Sequence, residues 1–191
     1  MALQADRTAD TTRHDGTMTR FQEDVIASPA LRGVLAFGRI VIGFYFFWAF
    51  IDKLFGLGFA TPAERAWING GSPTTGYLSN VSGPFADFFS ALAGNPIIDW
   101  LFMLGLAGIG IAMMLGAGLK IAAVSGVAMV TMMHLAAFPL GQPADVSVTN
   151  PIVSSYFLYA IVLIVSAMTL SGDTLGLGRW WGRIVGNSWL R

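Results

Sequence analysis

Four stretches of the chain, roughly 31–51, 100–119, 121–138 and 156–170, are nearly unbroken runs of apolar residues. A helix needs ~20 such residues to cross ~30 Å of hydrocarbon, and a backbone placed there must satisfy its own hydrogen bonds, which selects helices. The fourth run is the shortest and gains length by drawing in Ser154 and Ser155. Composition agrees. Of 191 residues, 54% are hydrophobic and 12% charged, with a mean hydropathy of +0.64, more apolar side chain than a water-soluble domain of this size could bury. The predicted fold is all-α, an integral membrane four-helix bundle over 31–175. A polar tail precedes it over 1–30, and a basic, Trp-rich segment follows over 176–191.

Cations set the expected orientation, because Lys and Arg are retained in short cytoplasmic segments. Arg7, Arg13, Arg20, Arg32, Lys120, Arg179, Arg183 and Arg191 fall on one side; Lys53 and Arg65 fall on the other, and 139–153 carries no cation. Both termini are predicted cytoplasmic. The tail mixes charges and lacks the basic-then-apolar layout of a cleaved signal, so it is expected to remain as a partly disordered extension. Zero net charge carries no message about nucleic acid, but no basic tract long enough to bind it is present, which leaves membrane lipids and a protein partner as the predicted partners. With no cysteine, the chain offers no disulfide, thiolate metal site or iron–sulfur cluster; electron transfer needs a bound carrier or another subunit.

The outer loop over 54–98 is too long for a plain connection. Thr61, Pro62 and Glu64 match a helix start, predicting a short helix through TPAERAWI that ends at Gly70 and Gly71. PFADFFSALAG, from Pro84 to Gly94, places Phe85, Phe88, Phe89 and Leu92 on one face, as in a helix lying in the membrane surface. Trp180, Trp181 and Trp189 interleaved with Arg183 and Arg191 read as an interfacial anchor. In the second long run, Gly108, Ala112 and Gly116 recur every four residues and predict one smooth packing face. The nearby Gly105, Gly108 and Gly110 have no strand before them and do not form a nucleotide loop.

The first helix carries a charged stripe. At ~100° per residue, Gly43, Phe46, Phe50 and Lys53 lie within about 40° of Arg39. Arg39 sits ~10 Å beyond Arg32, so it either lifts its guanidinium to the headgroups, pairs with carbonyls, or marks a functional site. With Arg39-Ile-Val-Ile-Gly43 followed by Asp52-Lys53-Leu54, and the block ATPAERAWINGGSPT over 60–74, the chain resembles the DoxX/DoxD-like membrane proteins of bacteria. That resemblance covers about 32–180. It implies a four-helix bundle in the bacterial plasma membrane, with Arg39, Gly43 and Lys53 as family-pattern positions. Some relatives are membrane subunits of thiosulfate:quinone oxidoreductase; no catalytic role transfers to a residue here.

On the predicted topology, Asp52, Lys53, Asp99, Trp100, His134 and Tyr156 all fall near the outer ends of their helices. A quinone headgroup needs hydrogen bonds at two carbonyls, a proton route and an apolar slot for its tail, which a His–Tyr pair beside carboxylates could supply. The alternative is that Trp100 and Tyr156 are belt aromatics and His134 bonds a backbone carbonyl. Haem is not predicted: of two histidines, His14 lies in the tail, while Met132 and Met133 read as packing residues. No metal site is predicted either. Two functions follow: a quinone-linked redox subunit, or a non-catalytic accessory subunit of a respiratory or other membrane complex using the glycine face. A small-solute transporter is less favoured, for want of paired repeats.

Overall fold

The computed structural model describes residues 19–138, 150 and 152–191; most of the tail and most of the loop over 139–153 lie outside them. Its helices are α1 (Gln22–Val25), α2 (Pro29–Phe55), α3 (Thr75–Leu78), α4 (Ala86–Ser90), α5 (Pro96–Leu115), α6 (Leu119–Ala136), α7 (Ser155–Met168) and α8 (Gly178–Val185), with no strand among the described residues. Three of them, α2, α5 and α6, are long and apolar enough to cross a membrane, as in a multi-pass membrane protein. The fourth, α7, has 14 residues, ~21 Å at 1.5 Å each.

Local chemistry fixes the ends of the long helices. The Ser28 hydroxyl accepts from the Leu31 amide and Pro29 opens α2; Asn95 accepts from the Ile97 amide and Pro96 opens α5. Both helices stop where a glycine turns left-handed, at Gly56 (φ 66°) and Gly116 (φ 75°). Gly118 (φ 68°) then starts α6, so α5 and α6 form a tight helical hairpin.

The long helices pack in a closed ring, α2 on α5, α5 on α6, α6 on α7 and α7 on α2. Ile42, Phe46, Met103, Leu106, Ile109, Met113, Val130 and Leu163 fill its centre. Outward, Val34, Phe37, Leu101, Leu104, Val124 and Leu158 are exposed, as lipid contact requires. The closest helix approach is not the expected one. A Cβ on Gly43 would lie 2.7 Å from the Met114 amide nitrogen, and one on Gly110 would lie 2.7 Å from the Phe47 nitrogen. These two glycines let the α2 and α5 backbones touch. On the expected smooth face, Gly116 caps α5 and packs on Gly172, whereas a Cβ at Gly108 would meet nothing within 4 Å. Gly108 and Ala112 instead line an open groove of about 330 Å³ between α5 and α6, with Trp181 among its lining residues.

The loop over 54–98 departs from expectation in detail. No α-helix starts at Thr61. Two 3-10 turns, Ala63–Arg65 and Trp67–Asn69, are separated by an extended Ala66 (ψ 141°), and the second ends at Gly70 (φ 84°). Gly71 explains the break: the Gly71 amide donates to the Ala66 carbonyl, and a Cβ there would sit 2.2 Å from the Arg65 oxygen. The expected surface helix shortens to α4. Phe85 and Phe88 are exposed, but Phe89 turns inward onto Leu78 and Ala136, so the four apolar residues do not share one outward face.

At the other end, part of the segment assigned to the tail is docked. Gln22 is fully buried; its amide donates to Asp173 at 2.9 Å and its side-chain oxygen accepts from Thr174 at 2.6 Å. Arg191 donates to Asp173 at 2.9 Å and lies over the Phe21 ring. Glu23 pairs with Arg32 and Arg179. Of the residues expected to form an interfacial anchor, Trp180 and Trp189 remain exposed, whereas Trp181 is half-buried with its indole donating to the Leu190 carbonyl and Arg191 is buried on Asp173.

Burial pushes the Asp173 carboxyl above its ordinary range, against the opposing pull of the Gln22 amide and Arg191. A raised carboxyl means that the folded protein holds more protons than the unfolded chain, so its contribution favours folding at low pH and is lost as pH rises through the raised value. Melting curves of wild type and Asp173→Asn from about pH 4, the unfolded value, to pH 8 should show the variant gaining on wild type as pH rises. A difference constant across that range would refute the assignment.

Candidate functional site

Arg39 is fully buried, and among the described residues no carboxylate pairs with it. One guanidinium nitrogen donates to the carbonyls of Met113 and, at 2.9 Å, Met114; the other reaches Thr174 at 3.3 Å and Leu175 at 2.9 Å. Met113 and Met114 sit in the last turn of α5, where unpaired carbonyls and the helix dipole favour a cation. Thr174 and Leu175 belong to the turn after α7, which includes left-handed leucines at 170 and 175 and is strapped to α5 by the Leu177 amide on Leu115. Of the three readings open in the sequence, the contacts are those of carbonyl pairing. Arg39 ties α2, α5 and the post-α7 turn together.

Two carboxylates at the helix ends that flank the loop over 54–98 are clamps on it. Asp52, 2% exposed, accepts from the amides of Phe59 at 3.3 Å and Ala60 at 3.0 Å. Asp99 accepts from the Ser72 hydroxyl at 3.0 Å, the Thr74 amide at 3.1 Å and the Thr74 hydroxyl. Each therefore fixes the loop to a helix end. Lys53, half-buried, follows Asp52 at the end of α2, and Trp100 packs edge-on against Trp67 at 4.6 Å. No hydrogen bond or ion pair joins these four to His134 or Tyr156 among the described residues.

His134 and Tyr156 do meet, with ring centroids 6.4 Å apart. The His134 Nδ1 lies 3.0 Å from the Ser154 hydroxyl, and Phe138 and Phe157 close edge-on around the imidazole. Three residues that sequence reasoning missed complete the group. Tyr77, on α3, donates to the Met133 carbonyl at 2.8 Å and lies 3.4 Å from the Tyr156 hydroxyl. Tyr159 packs against Tyr156 at 6.3 Å and donates to Tyr45 of α2 at 3.2 Å. All four tyrosines of the chain thus converge with His134. Their sequence signal was slight: the i, i+3 pair in α7 and one hydroxyl among the phenylalanines of α2. Burial and the Tyr156 hydrogen bond push the Tyr77 phenol up, so it stays protonated and remains a donor across the physiological range.

Chemically, the cluster offers hydroxyl donors and acceptors and an imidazole on a wall of aromatic rings. That suits a flat, carbonyl-bearing molecule held by hydrogen bonds. Among the described residues, no group of three or more His, Asp or Glu is placed to hold a metal. No family model, curated protein or solved structure matches the chain.

Proposed function

We propose that the chain is a quinone-linked redox subunit of the DoxX/DoxD-like kind, resembling the membrane part of thiosulfate:quinone oxidoreductase. In this reading all four long helices cross the bacterial plasma membrane with both termini cytoplasmic, and a donor or partner subunit on the outer face supplies electrons. The observation that supports it is the convergence of His134 with Tyr77, Tyr156, Tyr159 and Tyr45, in the half of the ring of helices that this reading places outward. A quinone becomes a quinol by taking up two electrons and two protons. Here the phenols and imidazole would orient its carbonyls and pass protons, while the lipid would hold its tail. His134→Ala and Tyr156→Phe are each expected to lower thiosulfate-dependent quinone reduction in native membranes about tenfold or more, with expression unchanged. Wild-type turnover in both variants would remove the cluster from the chemistry.

The groove beside Gly108 favours a second reading, a non-catalytic accessory subunit. Its small residues would let another transmembrane helix approach closely. Because a Cβ at Gly108 would meet nothing within 4 Å and the groove lies beside it, Gly108→Leu should fold normally and fill the groove. On this reading the variant co-purifies with less than about a tenth of the normal partner. That loss corresponds to ~1.4 kcal/mol of association free energy. Undiminished assembly would discard the groove as an interface.

A further inference from the structure

The hydroxyl hydrogens of the tyrosine cluster can be followed one at a time. Tyr77 gives its hydrogen to the Met133 carbonyl, which leaves its oxygen as the acceptor for Tyr156. Tyr159 gives its hydrogen to Tyr45. Among the described residues Tyr45 donates to nothing, and its side chain is 51% exposed on the outside of the ring. Three of the four hydrogens are engaged inside the protein, and the fourth faces the lipid.

Depth decides what could receive it. The midpoint of α2 is residue 42, so Tyr45 lies about 5 Å beyond it along the helix axis. Lipid ester carbonyls and water begin roughly 15 Å from the centre of ~30 Å of hydrocarbon, and roughly 10 Å from it where the bilayer thins to the length of α7. A phenol donor at Tyr45 therefore meets hydrocarbon unless an apolar molecule carries an acceptor to it, and a polar hydrogen without a partner there is unfavourable. The surroundings suit a flat ring. Phe44 and Trp48 are exposed on α2 with centroids 5.9 Å apart, and Phe59 continues the strip 5.3 Å from Trp48.

We infer that Tyr45, held by the Tyr159 hydroxyl, is the hydrogen-bond donor to one carbonyl of a lipid-soluble quinone that lies against the aromatic strip of α2. The inference rests on the quinone-linked reading above and moves the headgroup contact from the outer helix ends to the lipid side of α2 and α7. Tyr45 makes the contact. Tyr159 is a positioning residue, since its own hydrogen goes to the Tyr45 oxygen.

The test uses the full chain in phosphatidylcholine nanodiscs free of quinone, titrated with a decyl-substituted benzoquinone and followed by tryptophan quenching. A photoreactive azidoquinone is cross-linked in parallel and mapped by mass spectrometry. Tyr45→Phe is expected to weaken binding about tenfold, as loss of one hydrogen bond implies, with wild-type cross-links concentrated between residues 41 and 48. Tyr159→Phe is expected to weaken it less and to keep the same cross-links. Normal binding by Tyr45→Phe, with loss in His134→Ala and cross-links near 134 and 156, would overturn this inference and leave the quinone reading intact. No binding by wild type would overturn both. Normal quinone binding by Tyr45→Phe, together with loss of a co-purifying membrane subunit, would assign the hydroxyl to a partner helix and overturn the inference.

Discussion

Arg39→Met is expected to unfold most of the protein at temperatures where the wild type is stable. The substitution keeps an unbranched apolar stem in α2 but removes the donors that serve Met113, Met114, Thr174 and Leu175. Hydrogen bonds from a charged group contribute about 1.5–3 kcal/mol each, and the abandoned Met113 carbonyl is buried while the other three are part-buried. A net loss of about 3–5 kcal/mol is a large share of the ~5–15 kcal/mol that holds a typical domain together. Arg39→Lys should rescue little. One ammonium is a compact donor and cannot span two chain segments as the planar fork does. Thermal melts of the detergent-purified variants check this, and a lysine variant as stable as wild type would show that charge alone matters at the site.

Gly43→Leu should be nearly as damaging, for a steric reason. The first atom added already lies 2.7 Å from the Met114 backbone nitrogen and 2.9 Å from the Met113 Cβ, so α2 and α5 must separate. Overpacking costs ~1–3 kcal/mol where side chains can shift, and backbone yields less readily. Gly43→Ala is expected to lose ~2 kcal/mol, and Gly43→Leu to fail to accumulate as folded protein. Gly38, on the same helix, supplies the control, because a methyl group added there would meet nothing within 4 Å: Gly38→Ala should melt at or above the wild-type temperature. Equal tolerance at 38 and 43 would contradict the close approach.

These two residues also show what a single sequence can reveal. Arg39 and Gly43 were legible as a stripe on one face of a helix, because a face follows from 3.6-residue periodicity alone. Their partners were not. The Arg39 acceptors are main-chain carbonyls more than 70 residues away, and every residue carries one, so no side-chain pattern marks them. Gly110 was passed over for Gly108 because four-residue spacing identifies a smooth face without saying what it meets. The three longest helices were readable from apolar length, with proline and glycine at their ends. In the loop over 54–98, Thr61, Pro62 and Glu64 had the right chemistry for a helix, but the close contact of Gly71 with Arg65 broke it into two turns.

In the candidate site, His134 and Tyr156 were chosen for shared depth and do lie together, whereas Asp52 and Asp99 share that depth but face the loop they anchor. Helical periodicity gives depth and face, but not which loop will fold back over a helix end. Gln22 illustrates the same limit. Its neighbours read as solvated tail, and its burial depends on an aspartate 151 positions later.

The contact between the segments before α2 and after α7 bears on a question of parity. The Arg20 amide donates to the Asn187 side chain at 2.8 Å, and Gln22 sits on Asp173. A chain that threads a membrane an odd number of times leaves its flanking segments on opposite faces, separated by the whole bilayer. Segments that touch demand an even count. On the proposed four-helix topology α7 is the return passage that this contact requires, and its 14 residues, ~9 Å shorter than the hydrocarbon is thick, would call for a locally thinned bilayer.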